Sequence, residues 1–274
     1  MSDDALPRSS QSVPTTLVDV PGQRPLRVLL TRPLDQALET AEWVRRQGGE
    51  PLIYPCLRVE PVNLAELCHA VAQLPQFAAI ALTSVHAVRA LLPLLPSGQS
   101  WPPLFVLGQK TAAELTGIQP IHVVDGEFAT ARTLAQQLIR DLGPSPSGKR
   151  VLFPQASEGR DELPRLLGDA GIKVSRIAAY RTVAVEPSAL ADAVQKLRTG
   201  QVDLVPLGSP RTTQVLIEAI GDDAADVLGL APVGAIGQTT ARALRDLGVR
   251  VDVVAEQASF EDLVGQLARA RQLR

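Results

Sequence analysis

The chain has 274 residues, of which 45% are hydrophobic and only 3% aromatic. This length suffices for two ordinary domains with separate cores, and the shortage of aromatic residues predicts cores of leucine, valine, isoleucine and alanine. The formal net charge of −2, with no basic block, argues against a dedicated nucleic-acid-binding protein. An acidic small molecule remains a suitable ligand, because a few local arginines suffice to bind one.

Several other classes of protein are also excluded. The most apolar stretch, residues 77–95, is interrupted by polar side chains, so no membrane span is expected. The N-terminus lacks the apolar segment of a signal peptide, which predicts a cytoplasmic location. Cys56 and Cys68 do not have the spacing of a zinc motif, and the three histidines are scattered. We therefore expect neither a metal site nor a disulfide framework.

The predicted elements begin after a polar, proline-containing segment. Residues 1–24 have no hydrophobic periodicity and predict a disordered leader, whose removal should leave folding unchanged. Beyond it, short apolar runs alternate with amphipathic stretches, which is typical of a parallel sheet covered by helices. In the first half we predict strand 26–30, helix 34–47, strand 51–54, strand 78–83 with a helix to 95, and strand 104–107 with a helix ending at 117.

The second half predicts a similar succession of elements. Ser209-Pro210 is a strong helix start, because serine is a good N-cap and proline suits the first helical position. The predicted elements are strand 150–153, helix 160–170, strand 202–207 with a helix from Ser209, strand 232–236 with a helix to 248, strand 249–254, and a last helix from about 259.

The two halves repeat each other. Residues 79–88 return as 203–212, and residues 105–115 return as 235–244. The region 27–55 is echoed by 150–180, which matches Tyr54 with Tyr180. A duplicated α/β unit predicts two similar domains facing each other, with a ligand between them.

The domain boundaries can be drawn in two ways. The Pro/Ser/Gly-rich segment 143–148 would divide the chain near residue 145, between the two copies. However, the phrase Val-Glu-Pro occurs at both 59–61 and 185–187, and proline favours extended backbone before it. Two extended segments at matching points predict a pair of crossings between domains. In that case each domain combines halves of the two copies.

Four turns from strand to helix are the best candidates for a binding site. They lie around Ser84, Gly108–Thr111, Ser209 and Gly237–Thr240. Free backbone N–H groups and the positive end of the helix dipole attract carboxylates or phosphates at such turns. The simpler interpretation is that Ser84 and Ser209 only cap helices. No constellation of nucleophile and base is evident, so an enzyme of this sequence would work mainly by positioning a reactive substrate.

The order and spacing of these segments resemble the uroporphyrinogen-III synthase family over about residues 27–270. The resemblance rests on Val28–Pro33, Leu82–Ser84, Val106–Ala112, Leu152–Pro154 with Arg160, Tyr180–Thr182, Gly208–Pro210 and Ala235–Leu244. It implies an α/β fold of two flavodoxin-like parallel-sheet domains joined by two extended crossing strands. The interleaved division is then favoured, with residues 25–58 plus 186–274 in one domain and 59–185 inserted as the other.

The resemblance also implies a function. Proteins of this family cyclise hydroxymethylbilane to uroporphyrinogen III in tetrapyrrole biosynthesis, with loss of water, inversion of ring D and no cofactor. Tyr180 matches the family's conserved tyrosine and is the expected catalytic residue. The expected substrate-binding residues are Arg32, Ser84, Gly108, Thr111, Arg160, Ser209, Gly237, Thr239 and Thr240. We expect a monomer, and the instability of the substrate favours transient contact with hydroxymethylbilane synthase. The alternative is a non-catalytic two-lobed binding module of the same fold.

Overall fold

The computed structural model describes residues 17, 24–95, 101–118, 121–126, 129–143, 145–257 and 259–272. These residues form two compact units. Unit 1 combines the described residues up to Arg58 with those from Ala184 onward, and unit 2 comprises those from Val59 to Val183.

Both units alternate strands and helices. The strands are β1 (Arg27–Leu30), β2 (Glu50–Ile53), β3 (Leu57–Pro61), β4 (Ala79–Leu82), β5 (Leu104–Leu107), β6 (Ile121–Val124), β7 (Arg150–Ala156), β8 (Lys173–Ala184), β9 (Val205–Leu207), β10 (Val233–Ala235) and β11 (Val253–Val254). The α-helices are α1 (Leu34–Arg46), α2 (Leu64–Ala72), α3 (Val85–Leu91), α4 (Gln109–Ala113), α5 (Ala131–Asp141), α6 (Glu162–Asp169), α7 (Ala191–Arg198), α8 (Pro210–Ile220), α9 (Ala224–Gly229), α10 (Gln238–Asp246) and α11 (Phe260–Gln272). The chain passes from one unit to the other within β3 and again within β8.

The sheet of unit 1 has the strand order β2-β1-β9-β10-β11. The pairs β1–β2, β9–β10 and β10–β11 are parallel. A parallel bridge between Val28 and Leu204 joins β1 to the β9 segment, and the Leu29 N–H donates to the Leu204 carbonyl at 3.0 Å. Numbered within the unit, this is the order 2-1-3-4-5 of flavodoxin-like folds.

The sheet of unit 2 has the order β3-β8-β7-β4-β5-β6. Strands β7 and β8 correspond in the repeat to β1 and β2, and strands β4 to β6 correspond to β9 to β11. Apart from β3, unit 2 therefore has the same flavodoxin-like strand order. In the chain, however, the last three strands of that order come before the first two. Each unit takes two strands from one copy of the repeat and three from the other. The strand order and the parallel pairs of both units confirm the prediction of two flavodoxin-like parallel sheets.

Apolar side chains cover both faces of each sheet, as parallel sheets require. In β1, Leu29 faces one buried cluster, whereas Val28 and Leu30 face a second. In β4, Ile80 and Leu82 face one buried cluster, whereas Ala79 and Ala81 face another. Because both faces are filled, the polar residues that follow the strands are confined to the carboxyl edge of each sheet.

The expectation of a disordered leader is wrong at the two leader positions that the structure describes. Leu17 is fully buried in the core of unit 1, its N–H donates to the Gln47 carbonyl at 2.8 Å, and its carbonyl accepts from Leu26. Arg24 binds the Asp203 carboxylate. Nothing in the sequence indicates this docking, because the apolar residues around Leu17 show no helical or strand periodicity. The remaining leader positions lie outside the described residues.

Deleting residues 2–24 should therefore lower the free energy of unfolding by about 2–4 kcal/mol, since burial of one leucine alone contributes about 1.5–3 kcal/mol. Urea denaturation would measure the loss, and Leu17→Ala should reproduce most of it. Leu38→Ala is a matched control, because Leu38 on α1 is 47% exposed. Unchanged unfolding of both the truncated protein and Leu17→Ala would contradict the prediction.

Three arginines surround one buried carboxylate at the start of the β9 segment. The Asp203 side chain is 2% exposed. It accepts from Arg24 at 2.5 and 2.8 Å, from Arg27 Nε at 3.1 Å and from the Arg27 backbone N–H at 2.9 Å. Arg271 approaches it at 3.0 Å from α11. The carboxylate thereby joins the leader, β1 and the last helix to one point of unit 1.

Candidate active site

Tyr180 and Ser84 form a hydrogen-bonded pair in unit 2. Tyr180 lies within β8, and its hydroxyl donates to the Ser84 Oγ at 2.9 Å. The imidazole of His86 lies beside the phenol, with ring centroids 5.4 Å apart and planes inclined by 56°. Two residues that are 96 positions apart in sequence, Ser84 and Tyr180, are thus joined at the carboxyl edge of the sheet.

A β-bulge gives Tyr180 this orientation. Ala178 pairs with Gln155, but the next partner, Ala156, pairs with Tyr180, so Ala179 is an extra residue in β8. Ala179 packs in an apolar cluster, and a regular strand would turn the following side chain to the opposite face. Instead Tyr180 packs against the same cluster. The bulge re-aims the tyrosine towards the start of α3.

Ser84 has a second role as the N-cap of α3. It has extended backbone, and its Oγ accepts from the His86 N–H at 3.1 Å. The prediction that Ser84 caps this helix is confirmed. However, capping alone does not describe Ser84, because the same oxygen also accepts from Tyr180.

Ser157, which the sequence interpretation missed, fixes the backbone of Tyr180. Its N–H donates to the Tyr180 carbonyl at 2.8 Å, and its Oγ donates to the same oxygen at 3.3 Å. Ser157 follows β7, and Ser84 follows the adjacent β4. After these two neighbouring strands the chain continues into helices on opposite faces of the sheet. Ser84 and Ser157 therefore mark the topological switch point, at which open α/β sheets bind ligands.

The other expected residues of unit 2 lie at the same kind of position. Gly108 follows β5 with φ of 84°, a conformation that favours glycine, and starts α4. Thr111 is buried in α4 at 5% exposure. Arg160 is exposed in the turn between β7 and α6. Among the described residues, none of these three is hydrogen-bonded to Tyr180 or Ser84.

In unit 1, Ser209 caps α8, as predicted. Its Oγ accepts from the Thr212 N–H at 3.1 Å and lies 2.9 Å from the Thr212 hydroxyl. Gly237 is the N-cap of α10 and, being glycine, provides no side-chain cap. Thr240 is buried at 3% exposure, and Thr239 is exposed.

Arg32 lies at the carboxyl edge of unit 1, after β1. Its guanidinium is 4.1 Å from the centroid of the Phe260 ring and donates to Thr40 Oγ1 at 2.9 Å and to Gln36 Oε1 at 3.0 Å. Burial lowers the pKa of Arg32, and the surrounding carboxylates, those of Glu261, Glu39 and Asp35, oppose this effect. Contacts within unit 1 therefore hold the guanidinium in place.

Gly208 leaves room for the ring that supports Arg32. A Cβ at Gly208 would lie 2.8 Å from Phe260 Cε2, which is too close for any carbon contact, whereas a Cβ at Gly237 would meet nothing within 4 Å. We expect Gly208→Ala to lower the free energy of unfolding by about 1–3 kcal/mol through overpacking. Gly237→Ala, at the end of the adjacent strand, should have a much smaller effect. Equal melting temperatures of the two variants would contradict this prediction.

Unit 1 has its own tyrosine after its second strand, but its environment differs. The Tyr54 hydroxyl is hydrogen-bonded to the Asp192 carboxylate, not to the cap of α8. Burial, together with the hydrogen bond to Asp192 and the charge of Asp192, raises the pKa of Tyr54 to about 12. Lys196 also binds Asp192, at 3.1 Å. The repeated fold therefore does not by itself join a tyrosine to a capping serine.

The described residues offer no metal site or activated cysteine as an alternative centre. In the part of the chain that the structure describes, no group of three His, Cys, Asp or Glu residues is placed to hold a metal ion. Burial raises the pKa of the Cys56 thiol to about 12, so this residue is a poor nucleophile. The described helices include none that is both long and apolar enough to cross a membrane. Tyr180 with Ser84 remains the best-defined polar pair at a sheet edge.

The fold and this edge define a class of protein: a duplicated, interleaved α/β protein whose strand-to-helix turns suit an anionic ligand. The family described as uroporphyrinogen-III synthase HemD matches residues 38–265, and the chain belongs to that family.

Individual relatives of the chain have names that belong to the same family. The chain is 27% identical over 259 residues to a uroporphyrinogen-III synthase of Chlorobaculum parvum, covering 89% of this chain and 98% of that protein. It is 28% identical over 248 residues to a putative uroporphyrinogen-III synthase of Methanothermobacter thermautotrophicus, covering 87% and 96%. A porphyrin biosynthesis protein HemD of Ruminiclostridium josui is 25% identical, and the match covers 88% of this chain but only 48% of that relative.

The chain is also similar to solved structures. A mutant uroporphyrinogen III synthase of Thermus thermophilus has a TM-score of 0.49 at 22% identity, covering 91% of this chain and all of that one. A uroporphyrinogen-III synthetase of Helicobacter pylori has a TM-score of 0.49 at 19% identity, covering 92% of this chain and all of that one. Neither likeness bears on the residues of the site.

Proposed function

We propose that this protein is a cofactor-free lyase that cyclises hydroxymethylbilane to uroporphyrinogen III, with loss of water and inversion of ring D. Its membership of the uroporphyrinogen-III synthase family supports this function. The observation that carries the proposal is the Tyr180–Ser84 pair at the switch point of unit 2, where a phenol held at 2.9 Å from a serine is placed to act on a bound substrate.

The chemistry requires little from the protein beyond orientation and one acid. The hydroxymethyl group leaves as water once its oxygen is protonated, and the bilane closes unaided to the uninverted type I isomer. The enzyme must therefore favour the spiro route that inverts ring D by fixing the conformation of the chain. Tyr180 is the residue that we assign as the acid, since its phenol hydroxyl is a proton donor at the sheet edge.

The substrate carries eight carboxylates, which need several anion-binding positions. In unit 2 the starts of α3 and α4 supply backbone N–H groups behind Ser84 and Gly108. In unit 1 the starts of α8 and α10 do the same behind Ser209 and Gly237. We assign these turns to substrate carboxylates, together with Thr111, Arg160, Arg32, Thr239 and Thr240. A protein of net charge −2 can hold a polyanion in this way, because the favourable groups are local.

The direct test is incubation with freshly generated hydroxymethylbilane, followed by oxidation and chromatographic separation of the type I and type III porphyrins. We expect type III to predominate with the protein present and type I without it. A non-catalytic binding module would leave only type I, and that result would overturn the proposed function.

We further propose that the enzyme acts as a monomer in the cytoplasm and receives its substrate by transient contact with hydroxymethylbilane synthase. The instability of the free bilane supports this proposal, since direct transfer shortens its exposure to water. Sedimentation of the two purified proteins, alone and mixed during turnover, would test it. Unchanged sedimentation of the mixture would contradict the contact.

A further inference from the structure

The hydroxyl of Ser84 has its acceptor capacity filled. A serine oxygen has two lone pairs and one proton. One lone pair accepts from Tyr180 at 2.9 Å, and the other accepts from the His86 N–H at 3.1 Å. The remaining function of the Ser84 hydroxyl is to donate its own proton. Among the described residues, no acceptor of that proton is found, so it is available to a ligand at this edge.

Unit 1 shows that this arrangement is not a by-product of the fold. Ser209 caps the corresponding helix, but its Oγ lies against the Thr212 hydroxyl and N–H. The corresponding tyrosine, Tyr54, is hydrogen-bonded to Asp192. The bulge at Ala179 distinguishes unit 2, because it turns Tyr180 towards the cap. The contact between phenol and serine is therefore a special feature of one copy.

We propose that Ser84 is a second catalytic residue, which relays the proton of Tyr180 to the leaving hydroxyl of the substrate. This inference rests on the proposed function and specifies how its acid operates. The chain of donors runs from the Tyr180 hydroxyl to the Ser84 Oγ and from the Ser84 proton to the substrate oxygen. Ser84, and not the phenol itself, then contacts the reacting group.

The step is balanced in atoms and charge. As the Ser84 proton moves to the hydroxymethyl oxygen, the Tyr180 proton moves to the Ser84 Oγ. The carbon–oxygen bond breaks with its electrons on oxygen, water leaves, and the pyrrole nitrogen lone pair completes a cationic azafulvene. The negative charge rests on the Tyr180 phenolate. The phenolate recovers a proton when the ring carbon that forms the last bond loses its own, so the cycle consumes none.

Replacement of Ser84 by glycine separates the relay from the cap, because glycine at an N-cap is nearly as favourable as serine. We expect Ser84→Gly to lower kcat for type III formation by about 10²-fold or more, with little change in KM, and Ser84→Thr to restore much of the rate. Because the two residues act as a unit, the double variant Ser84→Gly/Tyr180→Phe should be about as slow as either single variant.

Thr130→Gly is the matched control, because Thr130 caps α5 in the same unit and is exposed. It should lose similar stability without losing turnover. Wild-type kcat in Ser84→Gly, a rise in KM alone, or losses that multiply in the double variant would each overturn the relay. Failure of the proposed function gives a different result, since the wild-type protein would then form only the type I isomer.

Discussion

Replacing Tyr180 by phenylalanine should lower the rate of type III formation by about 10²- to 10⁴-fold, the usual contribution of a positioned general acid. The variant keeps the ring that packs against the apolar cluster, and Ser84 still accepts from the His86 N–H. The fold should therefore survive with a loss of about 1 kcal/mol for one hydrogen bond. Residual activity is expected, because substrate orientation does not depend on one hydroxyl.

Tyr54→Phe is the control that the repeat itself provides. Tyr54 stands at the matching place in unit 1, and its hydroxyl is bound to Asp192. Its replacement should leave type III formation unchanged. Isomer-resolved kinetics of both variants, with melting temperatures measured alongside, would check the expectation. Wild-type turnover in Tyr180→Phe would reduce that tyrosine to a packing residue.

The largest effect on stability is expected at Asp203. Burial alone would raise the pKa of this carboxyl, but hydrogen bonds from Arg24 and Arg27 and the charge of Arg271 outweigh burial and lower the pKa well below its usual range. Asp203→Asn would leave three arginines facing one neutral amide. We expect the free energy of unfolding at pH 7 to fall by about 3 kcal/mol, the lower end for a broken buried pair, because the arginines are partly exposed.

The sign of the pH dependence follows from the lowered pKa. In the unfolded chain an aspartate titrates near pH 3.9, so the contribution of Asp203 is fully present above that value and is lost as the pH falls towards its folded pKa. The difference in unfolding free energy between wild type and Asp203→Asn should be constant from about pH 5 to 8 and should shrink below about pH 4. Urea denaturation across this range would measure it.

Asp169→Asn is the control for that series. Asp169 pairs with Arg165 on the surface, where its side chain is 67% exposed. An exposed pair of this kind contributes little, so stability should hardly change. An equal loss in the two variants would contradict the assignment of the effect to burial.

Local signals in the sequence predicted the secondary structure near the site. Ser84 and Ser209 each stand between an apolar strand and an amphipathic run, and both cap the following helix. Gly108 was expected at a turn and has positive φ there. Such features depend on a few neighbouring residues, so the sequence displays them directly. The repeat of the two halves likewise predicted two similar sheets.

Features that depend on distant residues were not predictable in the same way. The contact between Tyr180 and Ser84 requires a bulge at Ala179, and no residue type there marks it. Leu17 packs directly against Gly49, where a Cβ would lie only 3.0 Å from the Leu17 side chain. This contact exists only once the sheet has folded. The sequence does indicate that Asp203 is unusual, because a carboxylate within the apolar run 202–207 needs a partner. Its arginines, however, come from residues 24–27 and from the last helix, both distant from Asp203 in sequence.

The interleaving of the units has a consequence for the order in which the protein forms during synthesis. Unit 2 is a continuous segment, 59–183, and can fold as soon as it leaves the ribosome. Strands β1 and β2 emerge before it, but their sheet is completed only by β9 to β11. At about 5–20 residues per second, β1 waits roughly ten to thirty-five seconds for its neighbour. During that time its apolar edge is open to chaperones, and to pairing with other nascent chains.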